Sequence, residues 1–255
     1  MTRIISVLSG KGGVGKTTLV SNLGTSLAKR GKNVIILDGN VTTPNLSLHL
    51  GIPFYPVTLH DVLRSKMPIE SAIYHHHDTG LKIIPASLSA EAVKDVDLDR
   101  FRTVLLKLLG KAEIVIVDAA AGLGKEALAA VSVADDLIIV TIPEMPAVTD
   151  ALKTIKLAQD NGTRILGVVV NRVRGLKHEL TMNEIKAMLE VPIISIIPED
   201  IAVQKSIAKR IPVVHHKPHS RASIEFQRLA AKIVGEPWTS IKSKSWLERL
   251  FFWLS

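Results

Sequence analysis

The stretch that decides the fold is Ile4-Ile5-Ser6-Val7-Leu8-Ser9-Gly10-Lys11-Gly12-Gly13-Val14-Gly15-Lys16-Thr17-Thr18. An apolar, β-branched run enters a glycine turn, which opens directly into the helical pattern Lys16–Arg30, closed by Gly31. Gly10 to Thr17 fits the phosphate-loop spacing G-x-x-x-x-G-K-[ST], with a strand before it and a helix after it. The glycines let backbone N–H groups turn inward and come close to phosphate oxygens. The helix N-terminus adds partial positive charge at the same point. Gly10, Lys11, Gly12, Gly13, Val14 and Gly15 are therefore expected to form a phosphate cradle. Lys16 would reach the β- and γ-phosphates, Thr17 would ligate Mg²⁺, and Thr18 would donate to the α-phosphate.

Working outward, short Ile/Val-rich runs alternate with helical segments. Strands are expected at 4–9, 33–38, 81–86, 113–118, 137–142, 165–171 and 191–197. Helices are expected at 16–30, 99–109, 125–134, 147–160, 181–189 and 219–234. Near-continuous apolar strands are buried on both faces, as in a mostly parallel sheet with helices on both sides. The expected architecture is one α/β phosphate-loop domain over residues 1–235, a linker over 236–245 and a terminal amphipathic helix over 246–255. Two carboxylates end strands where the site needs them. Asp118 closes the run Glu113–Val117 and is placed to hold Mg²⁺, usually through water; Asp38 closes the run Val34–Leu37.

Lys11, ahead of the turn in KGGVGKTT, marks the signature-lysine form of the loop, and the chain resembles the ParA/MinD ATPases. The likeness to archaeal-type MinD proteins runs through DGNVTTPNLSLHLG from Asp38, TLHDVL (Thr58–Leu63) and IPED (Ile197–Asp200), and reaches about residue 235. That resemblance implies ATP and Mg²⁺ as ligands and a nucleotide-sandwich homodimer, with Lys11 crossing to the partner's phosphates. It implies a catalytic group of Lys11, Lys16, Asp38 and the residue at 40, with Thr17, Asp38 and Asp118 around the metal. It also implies that Asn171 contacts adenine, with Arg172 beside it, and that Pro198, Glu199 and Asp200 flank the base. The stretch Asn171-Arg172-Val173-Arg174 lacks the guanine-reading acid of N/T-K-x-D, so ATP is the expected nucleotide.

The chain departs from the family at the second strand, where the pattern is D-x-D. Here the pair is Asp38 and Asn40. Asparagine can hold a water but cannot take its proton, so slow ATP hydrolysis and a long-lived ATP dimer are expected. Ala120 stands where the family has proline, which bears less on the chemistry.

Composition bounds the remaining readings. The chain has 255 residues and no cysteine, which excludes disulfides, cysteine nucleophiles and an iron–sulfur carrier of the same superfamily. No apolar run approaches the length of a spanning helix, and MTRIISVLSG has no secretory pattern, so a cytoplasmic address is expected. Nearly all of the formal net charge of +8 lies in the last third, which favours an anionic partner there. All three Trp lie at or after position 238.

In the terminal stretch, Trp246, Leu247, Leu250, Phe251, Trp253 and Leu254 share an arc of about 160° on a helix, and Phe252 falls on the other side. A helix over 246–254 rises only about 14 Å and cannot span a bilayer. It can lie in the interface, with Lys242, Lys244 and Arg249 near anionic headgroups, as the targeting helix of MinD proteins does. The expected location is therefore peripheral, at the inner face of the cell membrane, with a MinC-like or other protein partner. The competing reading is a ParA-type partition ATPase that binds DNA non-specifically through Arg172, Arg174, Lys177, Lys205, Lys209, Arg210, Lys217, Arg221, Arg228 and Lys232. A small-molecule kinase would need a second substrate pocket that the sequence does not show.

Overall fold

The structure is a computed structural model that describes residues 2–52, 54–64, 67–93 and 96–238. The expected terminal helix, with Trp246, Leu247, Leu250, Phe251, Trp253 and Leu254, lies outside the described residues.

In chain order the elements are β1 (Arg3–Ser9), α1 (Lys16–Ala28), β2 (Val34–Gly39), α2 (Leu46–His49), α3 (Leu59–Leu63), β3 (Tyr74–His76), β4 (Leu81–Ile84), α4 (Phe101–Leu106) and β5 (Ile114–Ala121). There follow α5 (Lys125–Val133), β6 (Asp136–Thr141), α6 (Met145–Asp160), β7 (Arg164–Val173), α7 (Met182–Leu189), β8 (Ile193–Pro198), α8 (Ile201–Ala208), α9 (Val213–His216) and α10 (Arg221–Val234). Among the described residues the strands form one sheet in the order β3-β4-β2-β5-β1-β6-β7-β8. Every pairing is parallel except that of β3 with β4. The chain is a single α/β domain of the kind its strand–helix alternation predicts.

Alternation along each strand makes two cores. Ile4, Leu8, Val115, Val117, Leu137 and Ile139 face the layer of α3, α4, α5, α6 and α7. Ile5, Val7, Ile114, Ile116, Ile138 and Val140 face the layer that includes α1 and α10. Burial on both faces is why these strands read as continuous apolar runs. The helix α1 sits close on the sheet because a Cβ at Gly24 would press on Ile36 Cγ2 at 2.6 Å. β1 is central, and β5 and β6 leave it on opposite sides. That opens a crevice at the carboxyl ends of the strands, where ligands bind in open α/β sheets.

Several local expectations are corrected. The expected helix over 99–109 is a 3₁₀ turn, Leu98–Arg100, followed by the shorter α4, whose end tightens through bonds such as Leu108 N–H to the Leu105 carbonyl (2.9 Å). The tract His75-His76-His77 contributes its first two residues to the edge strand β3. His76 is buried there, its Nδ1 at 2.7 Å from Thr79 Oγ1 and its Nε2 at 2.8 Å from the Leu50 carbonyl. The short helices α2, α3 and α9 span too few residues to show a helical period. Beyond α10, the Glu236 carboxylate pairs with Lys32 (2.8 Å) and Arg30 (3.3 Å), and Trp238 lies 4.3 Å from the Arg228 guanidinium. Among the described residues no helix is long and apolar enough to cross a membrane.

Candidate functional site: a phosphate loop and its carboxylates

The phosphate loop joins β1 to α1. Gly13 (φ 80°) and Gly15 (φ 96°) adopt left-handed backbone, which a side chain would strain. Gly10 abuts the Asp150 backbone so closely that no Cβ fits. Gly15 precedes α1, whose first turn carries neither an acidic residue nor a side-chain cap, so its N–H groups face an anion site rather than a capping group. Val14 is buried and its carbonyl accepts from Asn171 Nδ2 (2.8 Å). Asn171 thereby braces the loop from beneath.

Two clefts meet at this loop. The larger, about 520 Å³, is lined by Gly12, Gly13, Gly15, Lys16, Thr17, Thr18, Asn40 and Arg172, with His49, Thr42 and Glu126 on its other walls. The smaller, about 240 Å³, shares Gly15, Thr18, Arg172 and Ile207 with it, and its other walls include Asn171, Pro198, Glu199, Asp200 and Phe226. A phosphate chain in the first cleft and a base in the second would thus be held by one continuous wall. The Arg172 backbone (φ 55°) lies at a register break of β7 against β8, and the residue lines both clefts. Asp200 is spent on the fold: its carboxylate caps α8 at Ala202 N–H (2.8 Å) and accepts Ala222 N–H (3.1 Å). Glu199 lines the smaller cleft, and its Oε2 is buried with no hydrogen-bond partner.

The carboxylates lie beneath the larger cleft. Asp38 and Asp118 are register partners on the neighbouring parallel strands β2 and β5, at 0% and 1% exposure. Lys16 Nζ pairs with Asp118 Oδ1 at 3.2 Å. Asp38 Oδ2 accepts Leu46 N–H (2.9 Å) and Asn45 N–H (3.0 Å), and Oδ1 accepts Asn40 N–H (3.3 Å). Burial, and then the Asp118 charge, push Asp38 up to about 7 against the opposing pull of those N–H groups. Two hard carboxylate donors with one compensating lysine suit a divalent cation, and the Thr17 hydroxyl lines the cleft above them. No cluster of three or more His, Cys, Asp or Glu occurs among the described residues, so phosphate oxygens and water would complete the coordination.

This arrangement carries a pH prediction. The folded state holds a proton on Asp38 that the unfolded state releases near its ordinary pKa. The stability of the nucleotide-free protein should therefore fall between about pH 4 and about pH 7 by that contribution. Thermal midpoints of the parent and of Asp38→Asn, measured over that range without Mg²⁺, check it. The variant should lack the fall, and parallel curves would sink the assignment.

Asn40 lines the cleft, but its amide closes a local turn: Nδ2 donates to the Thr43 carbonyl (2.7 Å) and Oδ1 accepts Thr43 N–H (3.1 Å). Lys11 stands exposed and does not line its own chain's cleft. The sequence reading missed His49 and Glu126. His49 sits in the family-like stretch LSLHLG, and burial holds it below the ordinary imidazole value although the Asp118 charge pulls the other way. Glu126 lies eight residues past Asp118, where only the turn between them could have pointed to it.

A glycine cradle on a central strand, a buried lysine and paired strand-end carboxylates define a phosphate-loop nucleotide-binding protein. The profile of the CobQ/CobB/MinD/ParA nucleotide binding domain matches residues 5–213, and the chain belongs to that family. It is 43% identical over 235 residues to an uncharacterized ATP-binding protein of Methanocaldococcus jannaschii, covering 92% of this chain and 89% of the relative. The cell division ATPase MinD of Pyrococcus furiosus superposes with a TM-score of 0.89 at 36% identity, covering 92% of this chain and 99% of that one. The septum site-determining protein MinD of Pyrococcus horikoshii, complexed with Mg-ADP, superposes with a TM-score of 0.88 at 35% identity, covering 96% and 100%. The chain is thus an ATP-binding phosphate-loop protein of the MinD/ParA type, with ATP and Mg²⁺ as its ligands.

Proposed function

We propose that this chain is a MinD-type ATPase that dimerises on ATP and binds the membrane reversibly, positioning cell-division or other polar machinery. The observation that carries the reading is Lys11. It is exposed at the mouth of a phosphate cleft that its own chain lines with Lys16, which leaves it available to a second copy's phosphates. ATP·Mg²⁺ bound by Lys16, Thr17, Asp38 and Asp118 joins two such chains. Two terminal segments then engage anionic lipid together, with a gain in avidity of about 10²–10⁴ over one. Hydrolysis, slow with Asn40, dissolves the pair and releases it.

Co-sedimentation with anionic liposomes at physiological salt tests this. ATP should pellet the protein and ADP should not, and deletion of 245–255 should abolish pelleting. Pelleting that survives the deletion would remove the terminal segment from the mechanism. Salt-sensitive retention on DNA without the tail, and no pelleting with it, would favour a partition ATPase.

A further inference from the structure

We propose that Glu126 is the group that takes the proton from the attacking water in the chain as it stands. The inference rests on the reading of the protein as a slow ATPase. Three observations carry it. First, Glu126 is the carboxylate among the described side chains lining the phosphate cleft. Asp38 and Asp118 are buried under the floor, one accepting three backbone N–H groups and the other paired with Lys16. Second, the Asn40 amide cannot accept a proton and is turned into its own loop against Thr43. Third, Glu126 is joined to that loop: Thr42, two residues past Asn40, donates its hydroxyl to Glu126 Oε1. The turn after β2 and the first turn of α5 therefore close on each other at the wall of the cleft, and the acid missing from the first element stands on the second.

In the step, the water oxygen bonds to the γ-phosphorus as the bond from that phosphorus to the ADP oxygen breaks. The water proton passes to the Glu126 carboxylate and then to the released phosphate. Because Glu126 sits across the cleft and already accepts from Thr42, it is a less direct acceptor than an acid at position 40. A slow reaction is the natural result.

The test uses four full-length proteins: the parent, Glu126→Gln, Asn40→Asp and the double variant. Glutamine keeps an oxygen for the Thr42 hydroxyl but cannot take a proton. Single-turnover hydrolysis of bound ATP with Mg²⁺ is measured beside nucleotide affinity by calorimetry. We expect Glu126→Gln to slow the parent about 10²-fold with affinity unchanged. In the Asn40→Asp background the same change should slow turnover less than about threefold, because the restored acid takes over. Equal slowing in both backgrounds would make Glu126 a structural brace and overturn the proposal, as would no slowing in either. A parent that binds ATP but never turns it over would overturn Glu126 and leave nucleotide binding standing. A parent that binds no ATP would overturn both.

Discussion

Replacing Lys16 by methionine is expected to remove ATP binding and destabilise the ligand-free fold at the same time. The side chain is 8% exposed, and its ammonium pairs with Asp118, the register partner of Asp38. With nucleotide, its loss removes charge-assisted bonds to phosphate worth about 1.5–3 kcal/mol each, or about 10²–10⁴ in affinity for two of them. Without nucleotide, it leaves Asp118 beside Asp38 with no counter-charge. Breaking a buried pair in this way costs about 3–5 kcal/mol. Asp38, already pushed up to about 7, can relieve part of that by holding its proton. The loss of stability should therefore be larger at pH 8 than at pH 5. Urea unfolding at the two pH values and calorimetric titration with ATP read both effects. Adding Asp38→Asn to Lys16→Met should recover stability but not ATP binding. Unchanged affinity in Lys16→Met would sink the phosphate-loop assignment.

Asn40→Asp should raise single-turnover ATP hydrolysis by about 10²–10⁴, the range that general-base help supplies. The side chains have the same size, so the cleft is unaltered. Aspartate keeps an oxygen for Thr43 N–H, which Asn40 Oδ1 accepts now at 3.1 Å. It loses the donation to the Thr43 carbonyl, which loosens the turn and frees one oxygen for water. The same substitution should shorten the ATP-dependent dwell on anionic liposomes, because hydrolysis ends the dimer. Asn40→Ala is the control: it loosens the turn without supplying a base, and should not accelerate hydrolysis. An unchanged rate in Asn40→Asp would show that position 40 does not face the reacting water.

Much of this site is local in sequence and so was legible there. The glycine spacing from Gly10 to Gly15, with Lys16 and Thr17 at its end, encodes a turn and a helix start that neighbouring residues complete by themselves. The strands β1, β2, β5, β6 and β7 were legible for a related reason. Burial on both faces demands unbroken Ile and Val, and that pattern survives without knowing which strand lies beside which. Asp38 and Asp118 stood out because each ends such a run.

What they do together was decided in three dimensions. Eighty residues separate them in the chain, and only the pairing of β2 with β5 sets them side by side, where burial first and then the Asp118 charge raise the Asp38 pKa. The bond from Thr42 to Glu126 depends on the same pairing, since it brings the turn after one strand to the helix after the other. The edge strand β3 was hidden because its three residues are too few to show a period, and its place comes from antiparallel pairing with β4. The sequence by itself determined the phosphate loop and the class of sheet, because both follow from short-range backbone geometry and burial. Tertiary structure alone decided which carboxylate faces the cleft and that Lys11 stands outside it. Both depend on contacts between segments that no local pattern records.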